Sequence, residues 1–306
     1  MQEFKLNCTG EESGLRIDRY LADHLDGQSR NSIQKLIEEG LVLVNGNTCR
    51  ASYKLQEKDQ IFVSVPDAVL TELRPERIPL DILYEDDQLL IVNKPKEMVV
   101  HPAPGHNTGT LVNAIMYHCG KELSGINGEI RPGIVHRIDM NTTGSLIVCK
   151  TDAAHRFIAS QIKEHSVHRV YRAIVYGHLN PIEGTIRTSI GRDPRDRKKM
   201  SVGVKNGRQA ITHYRELARL KNNFSYVEFE LETGRTHQIR VHMASIGHPI
   251  LGDQVYGPKK SPYHLDGQTL HAMTIGFVHP TSKRYVEFTA PLPEYFQHLL
   301  AILGEE

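Results

Sequence analysis

The chain has 306 residues, 39% of them hydrophobic and 24% charged, with a formal net charge of only +1. That composition fits a globular protein of about two domains, and no apolar run approaches the ~20 residues that a bilayer-spanning helix needs. The polar start, MQEFKLNCTGEESG, is unlike a signal peptide, and Cys8, Cys49, Cys119 and Cys149 form no CxxC pair, which argues against a zinc ribbon or secreted disulfide framework and for a cytoplasmic protein.

Residues 14–66 read as a small unit. Arg16–Ala22 is amphipathic and predicts a first helix. Ser29 is a good N-cap for a second, Arg30–Glu39, with Ile33, Leu36 and Ile37 on one face and Gly40 at its end. Leu41–Val44 running into Asn45-Gly46 is a hairpin signal, and Gln60–Val65 a closing strand. The outer face of the second helix carries Arg30, Asn31, Gln34 and Lys35. Pro66, Pro75 and Pro79 mark residues 67–80 as a linker.

Residues 81–304 read as a second domain. Ile82–Tyr84 and Leu89–Val92 flank an acidic turn and suggest a hairpin, which leads through Asn93-Lys94-Pro95 into a stiff loop, Met98–Gly105. Thr110 is placed to cap a helix Leu111–His118, Asp152 to cap Ala153–His165, and Thr236 to cap His237–Ile246. Strands are expected at Ser145–Cys149, Val170–Val175, Gly184–Ile190, Ala210–Leu217, Phe224–Leu231, Thr269–Phe277 and Tyr285–Thr289, before a last helix Glu294–Leu303. Strands outnumber helices and most connections are short. The fold class is therefore α+β, a helix-helix-hairpin module followed by a domain on a mixed, largely antiparallel sheet.

Charge is unevenly spread. Between Arg187 and Lys221 the sequence has eleven Lys and Arg against Asp193, Asp196 and Glu216. Such a block, including Arg195, Arg197, Lys198 and Lys199, is the footprint of a phosphate-contacting element, or else a solvated charged loop.

Few residues are left to carry chemistry. The chain has no GxxxxGK[ST], GxGxxG, GxSxG or HExxH motif. His237 and His242 lie ~140° apart around a helix and do not converge on one ion, so neither a metal nor a nucleotide cofactor is expected. The stretch Pro132–Thr151 sets His136-Arg137-Ile138-Asp139 ahead of a turn and an apolar strand. Asp139 there is either a turn-capping carboxylate or a working one exposed on a connection. Arg235, beside Gly234 at the start of a helix, could hold a carboxylate ionised. Tyr171 shares one face of its strand with Ala173 and Val175, and is a core or edge aromatic unless a ligand uses it.

His136-Arg137-Ile138-Asp139 with Thr142-Thr143-Gly144 resembles the signature of the RluA-type pseudouridine synthases. Asn93-Lys94-Pro95 with Val99–Gly105, Tyr171-Arg172-Ala173 and Gly234–Arg240 fit the same family in the same order. The N-terminal unit resembles the RNA-binding module of ribosomal protein S-four, so the architecture is that of the RluD-like branch. The resemblance implies a pseudouridine synthase fold and an RNA substrate. It makes Asp139 the catalytic aspartate, Tyr171 the aromatic that stacks on the flipped base, Arg235 the basic partner of Asp139 and Arg137 the residue filling the space that the base leaves. His136 and Thr142 would flank the substrate, and Ser29, Arg30, Asn31, Lys35 and Arg50 would grip RNA. Large-subunit ribosomal RNA is the first substrate it suggests, with transfer RNA, or a non-catalytic RNA-binding protein or chaperone of the same fold, as alternatives. Glu97 and Met140-Asn141 depart from the family's usual residues and bear on target choice.

Overall fold

The computed structural model describes residues 2–25, 30–65, 73–103, 105–120, 123–125, 132–196 and 199–305, without the side chain of Asn31. Ser29, Arg197 and Lys198 lie outside the described residues. The chain divides into two compact units, Met1–Glu72 and Leu73–Glu306. Among the described residues no helix is long and apolar enough to cross a membrane.

The first unit contains β1 (Gln2–Asn7), α1 (Ile17–His24), α2 (Arg30–Glu38), β2 (Val42–Val44), β3 (Asn47–Thr48) and β4 (Gln60–Val65). Its four-stranded sheet runs β1-β4-β2-β3. At the hairpin, Asn45 and Gly46 have φ of 49° and 81°, the left-handed pair that a tight two-residue turn requires. Ile17, Leu21, Ile33, Leu55, Ile61 and Val63 form its buried centre. β1 is an addition to the sequence reading: its six residues are individually weak strand signal and gain their partner only when β4, more than fifty residues later, is in place. Asp18 is fully buried beneath α2. Its carboxylate accepts from Arg16 Nε and Nη2, both at 3.0 Å, from Gln34 Nε2 at 2.7 Å and from Arg30 Nε and Nη2 at 3.0 and 2.9 Å. The Arg16 hydrogen bonds lead in holding this carboxyl far below the usual range, against the opposing effect of burial.

The second unit is built on β5 (Ile82–Glu85), β6 (Leu89–Lys94), α3 (Leu111–Cys119), β7 (Thr143–Cys149), α4 (Asp152–Lys163), β8 (His168–Tyr176), β9 (Glu183–Arg192), β10 (Met200–Val202), β11 (Arg208–Leu220), β12 (Phe224–Leu231), α5 (Gln238–Ser245), β13 (Leu270–Val278), β14 (Tyr285–Thr289) and α6 (Glu294–Leu303). The large sheet runs β10-β9-β11-β12-β8-β13-β7-β6-β5, with β14 also on β13. Its named strand pairs are antiparallel except β13 with β7. One face packs Leu90, Val92, Leu146, Val148, Ala173 and Phe229 against α3 and α5. On the other, α4 covers Ile147, Cys149 and Phe277, and α6 covers Ile174 and Phe224. β7 is buried along its whole length, as a strand covered on both faces must be.

The β7–β13 contact is close. Gly144 has φ of 110°, and a Cβ there would collide with the Ala272 carbonyl, so the glycine of the Thr-Thr-Gly run is fixed by its neighbour as well as by its backbone.

Several boundaries differ from the sequence reading. Thr151, not Asp152, caps α4, its hydroxyl accepting from Ala154 N at 3.1 Å. α5 begins at Gln238, and its cap is His237 in the left-handed conformation with no side-chain cap from Thr236. The basic block is part strand and part turn: Arg187, Arg192, Arg208, Arg215 and Arg219 lie on β9 and β11, close to the strands expected there, while Arg195 and Lys199 lie between β9 and the added strand β10, which folds back on β9.

Candidate active site

The segment before β7 delivers Asp139. Gly133 O accepts from Cys149 N at 2.8 Å, Ile134 bridges Val148, and His136 Nε2 accepts from Ile147 N at 2.9 Å. These contacts occupy the edge of β7 beyond the point where β13 leaves it. The chain then turns, Thr142 N donating to Asp139 O at 3.0 Å, and the Asp139 side chain stands one-fifth exposed. Lys94 supports the turn from behind. It is fully buried, and its Nζ donates to the carbonyls of Pro95, Met98 and Met140 at 2.7, 2.8 and 2.9 Å. Burial draws its pKa down to about 7, and the nearby Asp139 charge resists. The three carbonyls take every N–H of an ammonium.

The guanidinium on Asp139 belongs to Arg240. Arg240 Nη1 donates to Asp139 Oδ2 at 2.8 Å, while Nε and Nη2 clamp the buried Asp253 at 2.7 and 3.0 Å. Arg240 also lies 5.2 Å from the Tyr256 ring centre. Burial opposes its charge, but the hydrogen bonds and charges of Asp253 and Asp139 outweigh it and raise its pKa. Asp253 Oδ1 is fixed in turn by Val255 N and Tyr256 N. This is an Asp139–Arg240–Asp253 chain in which each link orients the next.

Arg235, expected in this place, donates from Nε to Gln209 O at 2.9 Å. The reason lies in the helix start. Gln238, not Thr236, closes the first turn: its Oε1 accepts from Arg235 N at 2.9 Å and Thr233 Oγ1 at 2.8 Å. With α5 starting there, Arg240 falls on its inner face. His237 approaches the other oxygen of Asp139, Nε2 to Oδ1 at 3.8 Å, and its Nδ1 meets the Tyr256 hydroxyl at 2.8 Å. Burial lowers the His237 pKa although Asp139 opposes the shift.

Two cavities meet at Asp139. One, of about 520 Å³, is bounded by the loop around Val99–His101, by Asn141 and by Gly267. The other, of about 460 Å³, is bounded by Tyr171, Arg169, Arg235 and Leu270. Asp139, Arg137, His237 and Arg240 line both. Arg137 is exposed at their rim. Tyr171 is almost buried in the wall of the second, and burial raises its pKa, with Arg169 opposing and Asp139 reinforcing. Thr142 is buried and its hydroxyl accepts from Gln268 Nε2. His136 is occupied by β7, and burial followed by the Arg169 charge lowers its pKa to about 3, so it is a neutral structural acceptor at physiological pH.

The other expected contacts are dispersed. Arg30 is engaged with Asp18. Lys35 is exposed and pairs with Glu39 at 3.6 Å, and Arg50 is exposed. Arg195 and Lys199 sit at the β9–β10 turn, organised around Asp193, whose Oδ1 accepts from Arg195 N.

The sequence reading missed Arg240, Asp253 and the use of Lys94. Arg240 lay inside the matched Gly234–Arg240 run, five residues beyond Arg235, and a helix starting at Gln238 was the missing signal. Asp253 sits in an unremarkable Gly-Asp-Gln and had none.

The chain is similar to known proteins over most of its length. A family model described as RNA pseudouridylate synthase matches residues 88–245, and an S4 domain model matches residues 15–61. The chain belongs to the RNA pseudouridylate synthase family and is an RNA pseudouridine synthase with an RNA-binding S4 domain. It is 48% identical to the uncharacterized RNA pseudouridine synthase YlyB of Bacillus subtilis, covering 98% of each chain. It is 45% identical to the ribosomal large subunit pseudouridine synthase D of Zymomonas mobilis, covering 98% of this chain and 97% of that one. The structure of human RNA pseudouridylate synthase domain containing 1 superposes with a TM-score of 0.58 at 25% identity, covering 74% of this chain and 96% of that one.

Proposed function

We propose that this enzyme isomerises specific uridines of large-subunit ribosomal RNA, with Asp139 as the catalytic carboxylate. Pseudouridine formation breaks the N1–C1′ bond, turns the uracil, joins C5 to C1′, and moves one proton from C5 to N1. No electron or group is gained or lost. A base within a stem must first be flipped out, at a cost of a few kcal/mol. Arg137, exposed at the rim of both cavities, suits the space the base vacates. Tyr171 suits stacking on the flipped ring. Asp139 acts on the ribose side of the bond, by attack at C1′ or by removing the C2′ proton.

Arg240 replaces Arg235 as the positioning residue. Its charge-assisted bond favours the ionised carboxylate and fixes which oxygen faces the substrate. The observation that carries this reading is the Asp139–Arg240–Asp253 chain at the junction of two cavities, one walled by Tyr171. The ribosomal target rests on relatives named for the large subunit. The test is pseudouridine mapping of total RNA from cells with the gene, without it, and complemented with Asp139→Asn. Sites in large-subunit RNA should vanish with the gene and stay absent with the variant. Sites lost from transfer RNA instead would refute the assigned substrate.

A further inference from the structure

Arg169 is a buried cation that nothing in the described protein neutralises. It is 7% exposed, two residues before Tyr171 on the same face of β8. Its hydrogen bonds both leave from Nη2, to Leu231 O at 3.5 Å and Glu232 O at 3.2 Å. Nε has no partner. Nη1 lies against Gly234, so closely that a Cβ there would stand 2.6 Å from it. No carboxylate pairs with it among the described residues, whereas the other deeply buried arginine of the site, Arg240, has two.

An isolated buried charge is costly unless it is paired and hydrogen-bonded. Arg169 lines the Tyr171 cavity, together with Arg235 and the exposed Lys163. The one carboxylate lining that cavity is Asp139, already held by Arg240. Burial leads in lowering the Arg169 pKa, Tyr171 resists, and the charge of Arg235 adds to the lowering. Two guanidiniums and an ammonium around one space, with unused donors, describe a receptor for an anionic oxygen. The anion that must arrive there, given RNA as the substrate, is the phosphodiester backbone.

We infer that Arg169, with Arg235 and Lys163, binds a phosphodiester next to the flipped uridine. The bond is made only when the nucleotide enters, so a strand threaded into the cavity is favoured over one lying across its mouth. Gly234 is then required because any side chain would press on the guanidinium that receives the phosphate. The inference rests on the proposed chemistry at Asp139, and the test separates the two.

The substrate is RNA from cells lacking the gene, which retains every target unmodified. Wild type, Arg169→Met and Arg169→Lys are compared for rate against RNA concentration at several salt concentrations. Arg169→Met should raise KM about tenfold or more, the effect of losing charge-assisted hydrogen bonds, with kcat changed less than threefold. It should also flatten the dependence of log KM on log salt by about 0.7, as expected for one phosphate on a single strand. Arg169→Lys should recover most of the KM and the slope. Arg169→Met should melt no lower than wild type, because it removes an unpaired buried charge. An unchanged KM, or a KM effect with an unchanged salt slope, overturns the phosphate site. A lowered melting temperature with unaltered KM makes Arg169 a structural clamp on residues 231–232. A fall in kcat alone makes it a partner of Tyr171. A wild type that forms no pseudouridine in that RNA refutes the reading of Asp139 instead.

Discussion

Asp253→Asn tests whether Asp139 is held in place or merely present. Asp253 lines neither cavity, and its side chain acts only as an acceptor: Arg240 Nε donates to Oδ2, and Arg240 Nη2, Val255 N and Tyr256 N donate to Oδ1. An asparagine amide cannot reproduce this, since whichever way it is turned its NH₂ faces a donor. Deleting one charge of a buried pair costs about 3–5 kcal/mol. The retained amide oxygen recovers part, which leaves about 2–3 kcal/mol and a fall in melting temperature of roughly 5–10 °C for a unit of this size. Arg240, no longer pinned, should hold Asp139 less well. Losing the orientation of one charge-assisted bond, about 1.5–3 kcal/mol, predicts a ~10–100-fold drop in kcat. KM for RNA should change little. Single-turnover pseudouridine formation and calorimetry on the same preparation measure both. A variant that melts lower yet turns over within twofold of wild type would refute the argument that Asp253 works through Arg240 on Asp139.

Asp139→Asn should fold and bind RNA with near wild-type affinity while forming no pseudouridine, and residual activity near the wild-type level would reject Asp139 as the catalytic group. Neutralising Arg195, Arg197, Lys198 and Lys199 should weaken RNA binding and reduce the magnitude of its log–log salt slope by about 0.7–0.9 for each phosphate no longer neutralised, and an unchanged slope would mean that these residues are only solvated charge. For Asp18, the folded pKa is depressed below the ordinary value of 3.8, chiefly by Arg16. Its contribution is therefore present above about pH 4 and is lost as pH falls toward the folded pKa. Asp18→Asn should destabilise the first unit at neutral pH and flatten its stability profile below pH 4. A profile parallel to wild type there would contradict the linkage.

Local chemistry was legible in this sequence and distant partnership was not. The Asn45-Gly46 turn, the Thr110 cap and the alternation of Phe224–Leu231 each depend on a few adjacent residues, and the structure has them where the pattern put them. β1 and β10 were missed because a short strand is defined by the edge it joins, which lies elsewhere in the chain. The same limit applies at the site. The collinear motifs singled out Asp139 and Tyr171, both of which border one cavity. The choice of Arg235 over Arg240 turned on where a helix begins, and one turn of α5 decided which guanidinium faces inward. Arg187–Lys221 was legible as charge, and its two long strands were expected at Gly184–Ile190 and Ala210–Leu217, but β10 between them was hidden because a short edge strand and a solvated loop can share a composition.

The position of β13 has a consequence for how the molecule is made. β5, β6 and β7 form one antiparallel group and β8 to β12 another, and β13 joins them by pairing with β7 on one side and β8 on the other. A nascent chain that has reached Ser245 already contains Asp139, Tyr171 and Arg240, yet it lacks the strand that brings the two groups side by side. His271 and Ala272 pair with Thr143 and Gly144 across more than 120 residues. Closing so long a loop is entropically late and slow. The two groups are brought side by side only once Leu270–Val278 is in place.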